Sequence, residues 1–118
     1  MNYQFRVLQL KSGKKRLLID FEEKEYELLS TFLESDVIPF EQWIKEKIHN
    51  VITKKENYEE INGNICHVKI APEYTEISDN LAEEGREKSC TIETEQLADL
   101  IDLWCKKNKE FQKNNLRL

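Results

Sequence analysis

The 118-residue chain is 39% hydrophobic and 35% charged, with a formal net charge of −5. A chain of this length can fold as a single domain, 1–118, hiding roughly two-thirds of its unfolded surface without metal or disulfide. Two Trp, five Phe and four Tyr exclude a disordered acidic tail, and the net charge repels nucleic acid from the molecule as a whole, although a local basic patch could still act.

Residues 2–10 alternate, with Tyr3, Phe5 and Val7 on one face and Gln4 and Arg6 on the other, which predicts a strand. Ser12-Gly13-Lys14 reads as a hairpin turn, because glycine accepts positive φ, and residues 15–19 return as the second strand. Asp20 is then placed to cap a helix, with Glu23 three residues on as its capping-box partner. Tyr26, Leu29 and Leu33, with Leu28 and Phe32 beside them, carry helical spacing, and Ser35-Asp36 is expected to end the element.

Pro39 suits the first turn of a second helix over 39–52. Its apolar stripe is Phe40, Trp43, Ile44, Ile48, Val51 and Ile52. Asn62-Gly63-Asn64 marks a tight turn between two short runs. In the second run Cys66, Val68 and Ile70 share one face, and Ile65, His67 and Lys69 the other. Pro72 breaks the run, residues 74–78 make a further alternating strand, 79–87 read as an acidic loop, and 88–92 form a last strand with Cys90 and Ile92 together. Thr94 is expected to cap a final helix striped by Leu97, Leu100, Ile101, Trp104 and Phe111, with acids early and lysines late, as the helix dipole favours. Both tryptophans, Trp43 and Trp104, are expected to pack these two helices onto the sheet. The order β-β-α-α-β-β-β-β-α predicts an α+β fold, a mostly antiparallel sheet with helices packed on one face. Because the strands alternate apolar and polar, the second face should stay partly open.

Charge is uneven along the chain. Residues 1–19 hold Arg6, Lys11, Lys14, Lys15 and Arg16 and no acid, whereas residues 59–102 hold twelve acids against three basic groups. Cysteines stand singly at 66, 90 and 105, an odd number with no CxxC, and MNYQFRVLQL does not resemble a secretion signal. No apolar run approaches the roughly 20 residues of a membrane helix. Together these features point to a reducing cytoplasm.

Catalytic patterns are weak. Cys66, His67, Cys90, Cys105 and His49 are the soft metal ligands on offer, but they lack the short paired spacings of zinc sites. Cys66 and His67 are neighbours on a strand, so they point to opposite faces and cannot pair. Buried apolar cysteines are the simpler reading. Residues 67–69 are His-Val-Lys, without the carboxylate that a metal-dependent nuclease strand carries there. There is no Gly-x-Ser-x-Gly elbow and no glycine-rich phosphate loop, with only three glycines in all. What stands out is the acidic stretch: Glu73, Glu76 and Asp79, then Glu83 and Glu84. Such a run is commonly a solvated face. Its alternative is a docking surface, where charge speeds association and selects partners.

Four segments carry a family resemblance: the opening strand into SGKKRLLIDF; EYELLSTFLES; INGNICHVKI followed by YTEIS; and CTIETEQLADLIDLWCKKNKEF. Together they resemble small bacterial immunity proteins of contact-dependent growth inhibition and other polymorphic toxin systems. The resemblance implies no cofactor and no reaction. It implies a stoichiometric inhibitor of a cognate toxin domain, a basic one and commonly a nuclease, bound without nucleic acid or membrane. It carries over no individual contact residue. A non-catalytic regulatory or adaptor module binding a cellular protein is the alternative function.

Overall fold

The structure is a computed structural model that describes residues 2–80 and 89–115. The strands are β1 (Tyr3–Gln9), β2 (Lys15–Phe21), β3 (Glu59–Asn62), β4 (Cys66–Ile70), β5 (Tyr74–Asp79) and β6 (Ser89–Glu93), and the principal helices are α1 (Glu27–Thr31), α2 (Glu41–Ile52) and α3 (Thr94–Asn115). The fold is α+β in the predicted order, with every strand pair antiparallel. The strands divide between a two-stranded ribbon, β1-β2, and a four-stranded sheet in the order β3-β4-β5-β6. Helices α1 and α3 touch both β2 and the sheet, so they join the two.

Alternation decides what the sheet buries. Ile61 of β3, Cys66, Val68 and Ile70 of β4, Thr75 and Ile77 of β5, and Cys90 and Ile92 of β6 all turn inward and are buried. Against them pack Leu28, Leu29, Phe32, Leu33 and Val37, then Ile44, Ile48 and Val51 of α2, and Leu97, Leu100, Ile101 and Trp104 of α3. Phe5 stacks on Trp104 with ring centroids 6.2 Å apart, and the indole Nε1–H donates to the Leu33 carbonyl at 2.7 Å. One large side chain thereby ties ribbon, helical segment and α3 together, and its single polar atom is satisfied. The expectation for Trp104 holds.

Trp43 departs from expectation: it is 40% exposed and packs edge-on against Phe40, 5.9 Å between centroids. The stripe of α2 contains the adjacent pair Trp43 and Ile44, which lie about 100° apart on the helix. Ile44 shares its direction with Ile48 and Val51 and takes the core position, so the indole falls on the flank.

Asp20 does not cap a helix. It belongs to β2, opposite Gln4, and accepts two hydrogen bonds from Arg6, from Nε at 2.7 Å and Nη2 at 3.3 Å. The cross-strand guanidinium and the bond from Glu22 N to the Asn2 carbonyl extend the ribbon past the predicted end at residue 19. The helix that follows begins as a 3-10 turn (Lys24–Tyr26) and, instead of stopping at Ser35-Asp36, continues as a π-helical segment through Val37. Phe32, Leu33, Asp36 and Val37 all turn inward there. Pro39 sits in the turn ahead of α2 rather than inside it. Thr94 opens α3, but its hydroxyl donates to the Ala71 carbonyl at 2.6 Å. The Thr75 hydroxyl, 2.8 Å away and equally buried, must therefore be the donor to Thr94 Oγ1. Sheet and helix are pinned at that point.

Candidate docking face

The outward face of the four-stranded sheet bears no helix-facing residues. Alternation sends Glu60 and Asn62 of β3, His67 and Lys69 of β4, Tyr74, Glu76 and Ser78 of β5, and Ser89, Thr91 and Glu93 of β6 to this side. The register aligns them in rows across the strands: Glu60, Lys69, Glu76 and Thr91 in one, Asn62, His67, Ser78 and Ser89 in the next, with Tyr74 opposite Glu93. Lys69 therefore lies between two glutamates.

Just before β3, Tyr58 adds an exposed phenol whose O–H donates to Glu60 Oε1 at 2.8 Å. His67 Nε2 approaches the same oxygen at 3.3 Å. These two partners, Tyr58 first, hold the Glu60 carboxyl below its ordinary value. Loss of water around the phenol, then the Glu60 hydrogen bond and the Glu60 and Glu76 charges, push Tyr58 up to about 12. Asn80 Nδ2 donates to Asn62 Oδ1 at 2.6 Å, and Ser78 Oγ to the His67 carbonyl at 3.3 Å. Several of these polar groups are thus hydrogen-bonded to neighbours on the same face. At one end of the face Pro72, Glu73, Tyr74, Glu93 and Glu95 line a shallow depression of 450 Å³.

The acidic stretch is divided by the fold. Glu76 is outward, beside Lys69, and Glu73 joins Glu93 and Glu95 at the depression. Asp79 shares the strand parity of Thr75 and Ile77, is half-buried, and its charge helps raise the Cys66 thiol. Glu83 and Glu84 lie outside the described residues. Glu60, Glu93 and Glu95, and the tyrosines at 58 and 74, were missed by a reading confined to one run of sequence. The NGN turn was the available signal, since it fixes which residues of β3 and β4 share a face.

The soft ligands do not converge. Cys66 and Cys90 lie on the inner sheet face, Cys105 on α3, His67 on the outer face and His49 on exposed α2 surface. No group of three or more His, Cys, Asp or Glu side chains suited to a metal occurs among the described residues. Burial pushes the thiols of Cys66 and Cys105 up to about 12 and that of Cys90 up to about 11, well away from a nucleophile's range. No helix among the described residues is long and apolar enough to cross a membrane.

No family model matches the chain, and no solved structure matches it. A protein of Bacillus cereus named "Immunity protein" is 44% identical over 113 residues, covering 96% of this chain and 94% of that relative. With nearly the whole length of both proteins aligned at that identity, this chain belongs to the same family, that of bacterial immunity proteins.

Proposed function

We propose that the chain neutralises a cognate bacterial toxin domain by stoichiometric binding, without a reaction of its own, and that the toxin docks on the outward face of the four-stranded sheet. Family membership supports the inhibitor role. One observation carries the choice of surface: Glu60, Glu73, Glu76, Glu93 and Glu95 are gathered around two exposed tyrosines on and beside one sheet face. Tyrosine supplies large contact area at little cost in side-chain freedom, and acids around it select a cationic partner. A nuclease fits that description, because a protein that binds phosphates carries Lys and Arg. Action in the cytoplasm, within a contact-dependent or other polymorphic toxin system, is the setting this reading implies.

The test is association kinetics with a toxin domain encoded by a neighbouring gene, at several salt concentrations. Reversing Glu73 and Glu76 to Lys should slow association about tenfold or more at low salt. The loss should shrink near 1 M salt, where screening acts over about 3 Å. Reversing Glu46 and Asp99, exposed on the helices at the far side of the sheet, changes net charge equally and should cost less. Equal losses from the two pairs would remove the sheet face from the proposal, and absence of any complex would remove the toxin.

A further inference from the structure

We propose that the outer edge of β1 pairs with the same strand of a second copy, joining two ribbons into one four-stranded antiparallel sheet. The hydrogen-bond pattern identifies that edge. Leu10 N donates to the Lys14 carbonyl at 2.7 Å, and Glu22 N to the Asn2 carbonyl at 3.0 Å. In an antiparallel pair the bonded and non-bonded positions alternate. The even-numbered residues of β1 therefore bond to β2, and Tyr3, Phe5, Val7 and Gln9 turn their N–H and C=O groups away from it.

On β2 the helical segments pack alongside the equivalent outward edge: Ile19 N donates to the Glu34 carboxylate at 2.9 Å, and the Arg16 side chain reaches the Glu34 carbonyl through Nη2 at 2.9 Å. On β1, no partner for the outward backbone groups is found among the described residues. Every residue of the strand except Phe5 is exposed. Proline, a bulge or an unpaired inward charge would blunt such an edge. This strand has none of them, since its one charge, Arg6, is engaged by Asp20.

The side chains favour a second copy as the occupant. Among the described residues, four of the seven exposed large apolar ones lie on or beside this strand: Tyr3, Val7, Leu8 and Leu10, with Val7 52% exposed. An antiparallel pairing centred on Val7 sets Val7 against Val7, Leu8 beside the stem of Arg6, and Leu10 beside Gln4. A pairing centred on Arg6 would oppose like charges and is disfavoured. Charge along the ribbon is also self-complementary. Its tip carries Lys11, Lys14 and Lys15, and beyond the Arg6–Asp20 pair its base adds Glu22 and Glu23, so antiparallel pairing brings each basic tip toward the acidic base of the other copy. The surface is distinct from the proposed toxin face, so either reading can fail without the other.

The experiment uses the full chain without toxin. Sedimentation from micromolar to millimolar concentration should show a dimer that weakens with salt. Amide exchange should slow with concentration at Phe5, Val7 and Gln9, whereas Gln4, Arg6 and Leu8, already bonded to β2, should change little. Val7→Pro removes an outward N–H that β2 does not use, a position where an edge strand tolerates proline. Val7→Lys opposes two charges at the two-fold axis and keeps the backbone intact. Both variants should be folded monomers. A monomer at every concentration overturns the proposal. So does a dimer that leaves the odd-numbered amides unchanged or survives Val7→Lys, and so does a monomer whose odd amides slow only when another protein is added.

Discussion

Asp36 occupies the space that a side chain on Gly63 would need. A Cβ there would stand 2.6 Å from Asp36 Oδ2 and 2.8 Å from its Cγ. The carboxylate is fully buried and accepts the backbone N–H of Asn64 at 3.1 Å, of Ile65 at 3.2 Å and of Cys66 at 2.9 Å. It closes the β3–β4 turn from a helical segment nearly thirty residues earlier, and so holds together the turn of the sheet on whose outer face we propose that the toxin docks.

Two variants should register that contact. Asp36→Ala leaves the buried Cys66 N–H and the part-buried N–H groups of Asn64 and Ile65 without this acceptor and is expected to cost about 2–4 kcal/mol. Gly63→Ala forces a pinned carboxylate to move and is expected to cost about 1–3 kcal/mol. Urea unfolding of both variants measures the losses. A neutral Gly63→Ala would show that Asp36 can move aside freely.

The two tryptophans should behave differently. Trp104 is 1% exposed, stacked on Phe5 and hydrogen-bonded to Leu33. Its truncation to Ala is expected to cost about 3–5 kcal/mol. Trp43→Ala, on a half-solvated flank, is expected to cost about 1 kcal/mol or less. Acrylamide quenching of the native protein should reach Trp43 and spare Trp104.

Two carboxylates give opposite pH dependence. The hydrogen bond and charge of Arg6 hold Asp20 below its ordinary 3.8. As pH falls the unfolded chain takes up that proton first, so the pair's stabilisation is complete above the ordinary value and is lost as pH drops through the lowered one. Burial pushes Glu34 above its ordinary 4.5, against the hydrogen bond from Ile19 N. Its contribution is greatest below the ordinary value and fades as pH rises through the raised one. Asp20→Asn should therefore flatten the acid limb of a stability profile. Glu34→Gln, which keeps an oxygen for Ile19 N–H, should compare more favourably with the parent protein at neutral pH than at pH 4. Urea midpoints across the acid range measure both, and parallel profiles for all three proteins would contradict both assignments.

Thiol reactivity should be nearly silent in the folded state. With Cys66 and Cys105 pushed up to about 12 and Cys90 to about 11, the thiolate fraction at pH 8 is about a thousandth or less for each. A disulfide reagent such as DTNB should titrate three thiols in denaturant and react far more slowly without it. A rapid native reaction would place at least one cysteine at the surface.

Short-range periodicity determined much of this protein. The alternation of β4 and β5, the helical spacing from Leu28 to Leu33 and the stripe of α3 each depend on neighbours within a few residues, and all are visible in sequence. The hairpin at Gly13 was legible for the same reason: its φ of +87° is a local demand that glycine meets. Gly63 looks like a similar case but is not, because it does not adopt positive φ and glycine is needed there for Asp36. Tertiary structure alone decided the roles of Asp20, Asp36, Thr94 and Trp43. Each has a local pattern compatible with a cap, a helix end or a core position, and each is claimed instead by a group distant in sequence or displaced by a better-placed neighbour. The proposed docking face has the same character. Glu60, Glu76 and Glu93 are spread over more than thirty residues, and Asp79, only three residues from Glu76, faces the other way. Strand pairing, which no local window contains, decides which charges meet.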